Sequence, residues 1–249
     1  MKIIYPKGDI PFEDLLKIRI LSGGDFDLAR EAIVAREAVE KADELGFEAS
    51  DEETQAFADE FRRLRDLYSA KETLDFLSAR GLSEDDFSEF CETTILLDKL
   101  REHLASEDRV REYFIRNRSD FDLAKVSVLS VQDEGLAGEI LLQVTDEGAD
   151  FHALARKHSL DADTKSLGGF LGFVARRRFG PEISAKVFNA AAGDVLGPFP
   201  AGGVFRLIFV EEIVRAELDD RVREQIADRI FDEWAAPFLA GPVSVTLRD

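Results

Sequence analysis

Two neighbouring segments decide the fold prediction: GADFHALARKHS at residues 148–159 and GGFLGF at residues 168–173. The first segment places Phe151, Leu154 and Ala155 at the spacing of one helix face, which predicts a short helix. The second segment is rich in glycine, which is typical of a turn or crossing between regular elements. A helix that leads into a glycine-rich crossing is compatible with a small unit of mixed secondary structure.

The residues on either side of these segments extend the same pattern. Residues 123–131 are rich in β-branched side chains and predict a strand, whereas residues 133–147 carry apolar residues on one helix face. Residues 204–210 are almost continuously apolar, as expected for a strand that is buried on both sides. Together these elements predict a compact α+β domain over residues 121–215.

The first 120 residues predict a set of helices. Three serines each precede a carboxylate by three residues, which is the spacing of a helix start, at Ser50 with Glu53, Ser69 with Glu72, and Ser83 with Asp86. Residues 216–235 return to a helical pattern, with an apolar residue at every fourth position. We expect this last helix to dock on the N-terminal helices. The predicted organisation is a helical domain, 1–120 completed by 216–249, into which 121–215 is inserted, and the fold class is α+β.

Composition excludes several classes of protein. The chain has 249 residues, with 51 acidic and 32 basic side chains and a net charge of −19, which disfavours nucleic-acid binding. Residues 1–120 carry most of the acid excess, and helix surfaces and caps account for it. No stretch is long and apolar enough for a membrane span. The N-terminus lacks an apolar signal region, and Cys91 is the single cysteine, so we expect a cytoplasmic protein without disulfides.

Metal and cofactor sites are not predicted. The chain has three histidines, and His152 and His158 are six residues apart, which points them to different sides of a helix. The glycine-rich segment at 168–172 lacks the spacing and the lysine of a phosphate-binding loop. We therefore expect no metal and no cofactor.

The quoted segments resemble the parvulin-type (PpiC-like) peptidyl-prolyl cis–trans isomerases. The likeness continues through Val187-Phe188, Gly193-Asp194-Val195 and Gly197-Pro198 to the final strand, and it covers about residues 120–213. The flanking helices resemble the chaperone lobe of foldases that carry parvulin domains. The resemblance implies a catalyst of X-Pro isomerisation, which needs an apolar pocket for the proline ring and a small polar cluster rather than a nucleophile.

The resemblance also assigns the polar cluster. Asp161 falls at the family's cysteine or aspartate position, whereas Ser127 and Arg206 replace the two histidines of adjacent strands. Since an arginine offers only hydrogen-bond donors, we expect Arg206 to form an ion pair with Asp161. The alternative is that Asp161 caps a turn and Arg206 extends to solvent.

Substrate-binding residues follow in the same way. Leu171, Phe173 and Phe179 fall at or beside apolar pocket positions, and Ile183 stands where the family usually has an aromatic residue. The alternative for these side chains is core packing. Arg176, Arg177 and Arg178 lie beside the predicted groove, and either Arg176 and Arg177 hold an acidic peptide segment or the run is a solvated loop.

Two functions are compatible with these residues. The first is a cytoplasmic parvulin-type foldase that isomerises X-Pro bonds in unfolded or proline-containing polypeptide clients, with activity weakened by the loss of both histidines. The second is a non-catalytic peptide-binding chaperone, or a helper that matures one dedicated peptide or metalloenzyme client. Neither function involves nucleic acid or a membrane.

Overall fold

The computed structural model describes residues 2–5, 7–241, 243, 245 and 246. Within this part of the chain, no helix is long and apolar enough to cross a membrane. In chain order, the elements are β1 (Lys2–Tyr5), β2 (Gly8–Pro11), α1 (Phe12–Leu21), α2 (Asp25–Glu44), α3 (Asp51–Leu64), α4 (Ala70–Ser78), α5 (Glu84–Leu104), α6 (Glu107–Asn117), β3 (Leu123–Val131), α7 (Glu134–Thr145), α8 (Phe151–His158), α9 (Ala162–Lys165), β4 (Phe170–Ala175), α10 (Pro181–Asn189), β5 (Val195–Ala201), β6 (Val204–Val214) and α11 (Asp220–Ala235). Short 3₁₀ turns span Arg118–Phe121, Arg176–Arg178 and Ala236–Leu239.

The chain divides into two compact units. The helical unit comprises residues 1–110 and 224–249, and the inserted unit comprises residues 111–223. The sequence predicts the boundaries after residues 120 and 215. The structure differs, because it assigns residues 111–120 and 216–223 to the inserted unit. A hydrogen bond joins the two stretches, since the Arg118 Nε donates to the Ala216 carbonyl oxygen at 2.9 Å.

The predicted helix starts at Ser50, Ser69 and Ser83 are all present. The Ser50 Oγ accepts a hydrogen bond from the Glu53 amide, and the Glu53 carboxylate accepts one from the Ser50 amide in return. Ser83 and Asp86 form the same reciprocal pair before α5. These contacts satisfy amide donors that the first helical turn leaves without partners.

The end of α11 belongs to the helical unit. Asp232 forms an ion pair with Arg30 of α2 at 2.6 Å, and Asp228 forms one with Arg101 of α5. Ile226 and Ile230 of the same helix are buried. The apolar stripe in this helix therefore contributes to the core, and charged residues beside it connect the helix to α2 and α5.

The N-terminal hairpin is not predicted by the sequence pattern. β1 and β2 pair antiparallel, with Ile3 opposite Ile10, and α1 follows directly. Their apolar residues are too few for a clear period, which is why the pattern is weak.

The inserted unit is built on a four-stranded antiparallel sheet in the order β4-β3-β6-β5. Successive residues of a strand point to opposite faces, so the sheet has two apolar surfaces. One surface packs against α7 and α8 through residues such as Leu129 and Leu207. The other packs against α10 through residues such as Val128 and Ile208.

Candidate functional site

An apolar surface, here called the cradle, lies on the α10 face of the sheet. It consists of Leu171, Phe179 and Ile183, which are partly exposed and pack on a buried cluster that includes Val187 and Phe188. Leu171 lies in β4, Phe179 follows the 3₁₀ turn, and Ile183 lies in α10. Three elements therefore converge to form a partly open apolar surface on a rigid core.

Two glycines allow the backbone to approach closely at the cradle. Gly169 has φ +86°, and a Cβ at this position would lie 2.3 Å from the Val128 carbonyl oxygen. Gly197 has φ +125°, and a Cβ there would lie 2.7 Å from the Arg206 carbonyl oxygen. Neither position accommodates a side chain without displacement of the backbone. The glycines of the quoted turn and of the Gly-Pro motif thus fix β4 and β5 beside the central strands.

Arg206 and Ser130 form the polar part of this face. They are opposite each other in the pairing of β3 with β6, and the Arg206 Nε donates to the Ser130 Oγ at 3.3 Å. Ser130 is buried, whereas Arg206 is half-buried. Because a guanidinium has five N–H donors, this contact leaves others available to a bound ligand.

Asp161 lies on a turn that is tied to the same strand. The Leu160 amide donates to the Ser130 carbonyl oxygen at 2.8 Å, and the Ser159 Oγ accepts from the Ser130 amide at 3.3 Å. The Asp161 Oδ1 accepts from the amides of Asp163 and Thr164, at 3.2 and 3.3 Å. Asp161 is thus the N-cap of α9, held near Ser130 by the backbone.

The ion pair expected between Asp161 and Arg206 is not formed. Both residues belong to the described part of the chain, and no salt bridge joins them there, since Asp161 caps α9 and Arg206 binds Ser130. The alternative interpretation of Asp161, a turn cap, is the correct one. The side chain already satisfies two amide donors at the start of α9, so its role is local.

Ser127 is not part of the cradle face. In the pairing of β3 with β6, Ser127 is opposite Phe209 and Ser130 is opposite Arg206. The two serines are an odd number of positions apart on the strand, so Ser127 faces the α8 side, away from Arg206. It is fully buried, and its hydroxyl donates to the Glu211 Oε1 at 2.5 Å. The prediction that Ser127 joins Arg206 in one polar cluster is wrong.

Phe173 also lies on the opposite face. It pairs with Lys125, whereas the next residue, Val174, belongs to the cluster under the cradle. Phe173 is 55% exposed and does not line the cradle. Its place in the GGFLGF motif, two residues after Leu171, predicts a pocket residue. Leu171 is the extra residue at a register shift in β4, however, so the two side chains do not share a face, and Phe173 lies on the face opposite Val174.

Arg176 has a structural role. Its Nη2 lies 3.1 Å from the Asp122 Oδ2, its Nε donates to the Ser119 carbonyl oxygen at 2.5 Å, and its guanidinium stacks on the Phe188 ring at 4.3 Å. These contacts leave little of the group for a peptide, which corrects its assignment to substrate binding. Arg177 is exposed, and its contact with substrate stays a prediction.

Asp122 is the centre of this structural network. Its side chain is 4% exposed and accepts from Arg176, from Arg215 at 2.8 Å and from the Ala216 amide at 2.9 Å. Burial alone would raise the pKa of Asp122, but these three donors together hold it below its ordinary value. A fixed negative charge therefore connects the start of β3 with the segment that follows β6.

Sequence reasoning missed Ser130 and Asp122. Ser130 carries a weak signal, since it is a polar residue in an otherwise apolar strand and a buried hydroxyl needs a partner. Asp122 gives no local signal, because its partners lie 54 to 94 residues away in the chain.

His152 has a structural role beside the glycine turn. Its Nδ1 lies 3.0 Å from the Gly168 carbonyl oxygen, and its ring meets that of Phe209 edge-on. Among the described residues, no group of three or more histidine, cysteine, aspartate or glutamate side chains is arranged to hold a metal ion.

Comparison with known proteins agrees with this architecture. Residues 131–212 match the family model of the PPIC-type PPIase domain, described as rotamase. Two relatives are the foldase protein PrsA of Halalkalibacterium halodurans, 28% identical over 90% of this chain and 67% of that protein, and the foldase protein PrsA 2 of Bacillus cereus, 21% identical over 90% of this chain and 72% of that protein. A solved structure of PrsA from Bacillus cereus covers 98% of this chain and 93% of its own, with a TM-score of 0.53 and 19% identity.

The inserted unit therefore carries a parvulin-type domain, the domain class of the peptidyl-prolyl cis–trans isomerases. The chain as a whole is similar to the PrsA foldases. The α+β fold class, with a parvulin-like domain and a helical lobe, is likewise confirmed by the PrsA structure.

Proposed function

We propose that this protein is a parvulin-type foldase that catalyses cis–trans isomerisation of X-Pro bonds in polypeptide clients. The observation that carries the proposal is the cradle of Leu171, Phe179 and Ile183, with Arg206 presented on the same face of the sheet by Ser130. An apolar surface can bind a proline ring, and a hydrogen-bond donor beside it can interact with the amide that must rotate.

The chemistry requires differential binding rather than bond formation. The planar amide resists rotation by about 18–20 kcal/mol because of resonance. When the bond twists, the prolyl nitrogen regains its lone pair and becomes a better hydrogen-bond acceptor. A guanidinium N–H of Arg206 directed at this nitrogen would stabilise the twisted state more than either planar isomer. Arg206 offers hydrogen-bond donors and no acceptor.

The activity is expected to be modest. Ile183 offers the proline ring less surface than an aromatic residue would, and Val128 adds an apolar side chain to this face, so Ser130 is the polar residue that β3 contributes there. Fewer polar groups at the rotating amide leave less stabilisation that is specific to the transition state.

A prolyl-peptide isomerisation assay tests the proposal. Wild type should accelerate the exchange of a Phe-Pro peptide above the uncatalysed rate, and Arg206→Met should abolish most of the acceleration. Asp161→Ala should lower activity only through a destabilised turn before α9. Hydrogen–deuterium exchange measures the stability of that turn, and the loss of activity should parallel the increase in exchange. A wild-type rate equal to the uncatalysed rate would remove the enzyme assignment.

A second candidate is a non-catalytic peptide-binding chaperone. Val128 on the cradle face favours this second function. An apolar side chain at this position adds to the surface that binds a proline ring, but it gives the rotating amide no hydrogen bond, and Arg206 is then the main polar group of the cradle. Binding of proline peptides at the cradle, measured together with an uncatalysed isomerisation rate, would establish this function instead.

The proposal includes a cytoplasmic location and a polypeptide client. The single cysteine, Cys91, is buried and unpaired, which fits a reducing compartment such as the cytoplasm. Cell fractionation tests the location. Co-purification with a single polypeptide would indicate a dedicated client, and co-purification with many would indicate a general foldase.

A further inference from the structure

The helical unit contains a cleft that the isomerase reaction does not use. It has a volume of about 390 Å³ and lies where α3, α4 and the start of α5 meet. We call it the aromatic cleft, and its lining consists of Phe61, Arg65, Phe76, Leu77, Arg80, Leu82, Asp86, Phe87 and Phe90. The volume is at the lower end of the range of about 300–1,000 Å³ that is usual for ligand sites.

The apolar lining is clustered and partly open to solvent. The Phe61 ring lies 5.9 Å from that of Phe76, 4.8 Å from that of Phe87 and 6.2 Å from that of Phe90. Phe90 is 49% exposed and Leu82 is 45% exposed. Exposed aromatic surface in a concave site gains free energy when an apolar side chain covers it.

Two arginines stack on the rings of the cleft. The Arg65 Cζ lies 3.8 Å from the centroid of Phe61, and the Arg80 Cζ lies 3.6 Å from that of Phe76. Stacking on a ring holds the planar guanidinium in place and leaves its edge free to bind a carboxylate through two N–H groups.

These arginines have no carboxylate partner, although the chain has an excess of acidic residues. Within the described residues, neither Arg65 nor Arg80 forms an ion pair, and the one hydrogen bond of Arg80 goes to the Phe76 carbonyl oxygen. Five carboxylates close to these arginines in sequence are engaged by other groups: Asp59 by Arg62, Glu60 by Arg63, Asp66 by Tyr68, Asp75 by Lys71, and Asp86 by Ser83. Two oriented positive charges therefore remain available beside an apolar cleft.

We propose that the aromatic cleft binds an extended polypeptide segment in which an apolar, preferably aromatic, side chain is adjacent to a carboxylate. The apolar side chain lies against Phe61, Phe87 and Phe90, and the carboxylate bridges Arg65 and Arg80. The inference rests on the proposed function in one respect, namely that the ligand is a polypeptide client. It assigns a separate, charge-selective site to the helical unit.

Fluorescence anisotropy with the full chain tests the inference. The probes are three labelled, proline-free peptides: one with an Asp-Phe-Leu-Asp centre, one with lysines in place of the aspartates, and one with alanines in place of Phe-Leu. The first should bind, and the other two should bind at least about tenfold more weakly, since one loses the charged hydrogen bonds and the other the apolar contact.

Protein variants locate the site. Arg65→Gln and Arg80→Gln should each weaken binding of the acidic probe by about threefold to tenfold, and the double variant should bind the acidic and basic probes alike. Arg63→Gln is the matched control, because Arg63 lies in the last turn of α3, two residues before Arg65, and is already paired with Glu60, and it should bind like wild type. Equal binding of the acidic and basic probes by wild type, or an equal loss in Arg63→Gln, would overturn the proposal.

Two further measurements distinguish a client-binding cleft from the isomerase site and from a dimer interface. The prolyl isomerisation rate should be unchanged in Arg65→Gln and Arg80→Gln, so an inactive wild type would refute the proposed function without affecting the binding result. Sedimentation should show the same molecular mass for wild type and the double variant. A dimer that dissociates in the double variant would make a second copy the occupant of the cleft and would contradict the inference.

Discussion

Ser127 and Ser130 lie three positions apart on β3 and have different environments. Ser130 faces the cradle and accepts from Arg206, whereas Ser127 faces the α8 side and donates to Glu211. Both serines are buried, so exposure does not distinguish them. The direction of each side chain in the sheet decides which of them contributes to the site.

Substitution of the two serines distinguishes these roles. Ser130→Ala should lower kcat/KM for a prolyl peptide by about twofold to tenfold, because Arg206 loses a hydrogen bond that positions it. Ser127→Ala should lower the melting temperature and leave kcat/KM near the wild-type value. The measurement is isomerase kinetics together with thermal unfolding of both variants. A larger loss of kcat/KM in Ser127→Ala than in Ser130→Ala would show that Ser127 belongs to the site.

A guanidinium donor at position 206 predicts a simple pH profile, because arginine side chains as a class are not deprotonated in proteins. A guanidinium donor should therefore add no pH dependence to kcat/KM between about pH 6 and 8. Arg206→His should introduce a dependence with a midpoint near the ordinary histidine pKa of about 6.5, with activity falling as pH rises, because only imidazolium carries the charge. A flat profile in the histidine variant would show that charge at this position does not matter.

The error at Ser127 has a physical cause in the strand. Side chains alternate regularly along β3, so Val126 and Val128 belong to the cluster on the α10 face and Ser127, which lies between them, points to the other face. Assignment of a residue one position too early or too late on the strand therefore places it on the wrong face of the sheet. The family likeness supplied the correct strand and the correct partner strand, but a shift of one residue cannot be recognised from a likeness with few identical positions.

Helix ends were predicted more accurately because their determinants are local. The cap of α3 involves Ser50 and Glu53, which are three residues apart, so the sequence alone indicates it. The sequence did not indicate that Lys99 of α5 also binds Glu53, at 2.7 Å, or that it donates to the Glu48 carbonyl oxygen. That contact depends on tertiary packing and connects α3 with α5.

The Glu53 cluster predicts an acid-sensitive helix contact. Hydrogen bonding by Lys99, and then by the amide and hydroxyl of Ser50, lowers the pKa of Glu53 to about 2 from an ordinary 4.5. Since the folded-state pKa is the lower one, the stabilisation is complete above pH 4.5 and is lost as pH falls towards 2. Glu53→Gln should remove this component from the melting temperature measured against pH.

Glu52→Gln is the matched control for that measurement. Glu52 lies in the same helical turn, is exposed, and makes no hydrogen bond or ion pair within the described residues. Its variant should follow the wild-type pH dependence. If Glu53→Gln and Glu52→Gln behave alike, the contact of Glu53 with Lys99 does not form in solution.

At the scale of the whole molecule, each of the two units contains buried apolar residues of its own, and the buried charge of Asp122 lies in one of them. Asp122 belongs to the inserted unit, and Asp122→Asn should lower the free energy of unfolding of that unit by about 1.5–3 kcal/mol, since Arg176 and Arg215 lose a charged acceptor. Hydrogen–deuterium exchange should show faster exchange in residues 111–223 and little change in residues 1–110.

The pH dependence of the same variant provides a second test. Because the pKa of Asp122 is lowered in the folded state, its contribution is complete above the ordinary value of 3.8 and is lost as pH falls through the folded-state value. Asp122→Asn should therefore be less acid-sensitive than wild type. Glu147→Gln, an exposed change in the same unit, should match wild type, and uniform destabilisation of both units by Asp122→Asn would contradict their independence.

The discontinuous helical unit has a consequence for synthesis on the ribosome. Residues 111–223 form a complete unit as soon as they have emerged, whereas residues 1–110 still lack the end of α11. Domains generally fold as units during translation, so the parvulin-type domain should reach its native state first. The helices of residues 1–110 cannot complete their core, and expose part of their apolar surface, until residues 224–235 have been synthesised. A ribosome stalled just after residue 223 has left the exit tunnel should therefore carry a folded inserted unit beside a protease-sensitive N-terminal region.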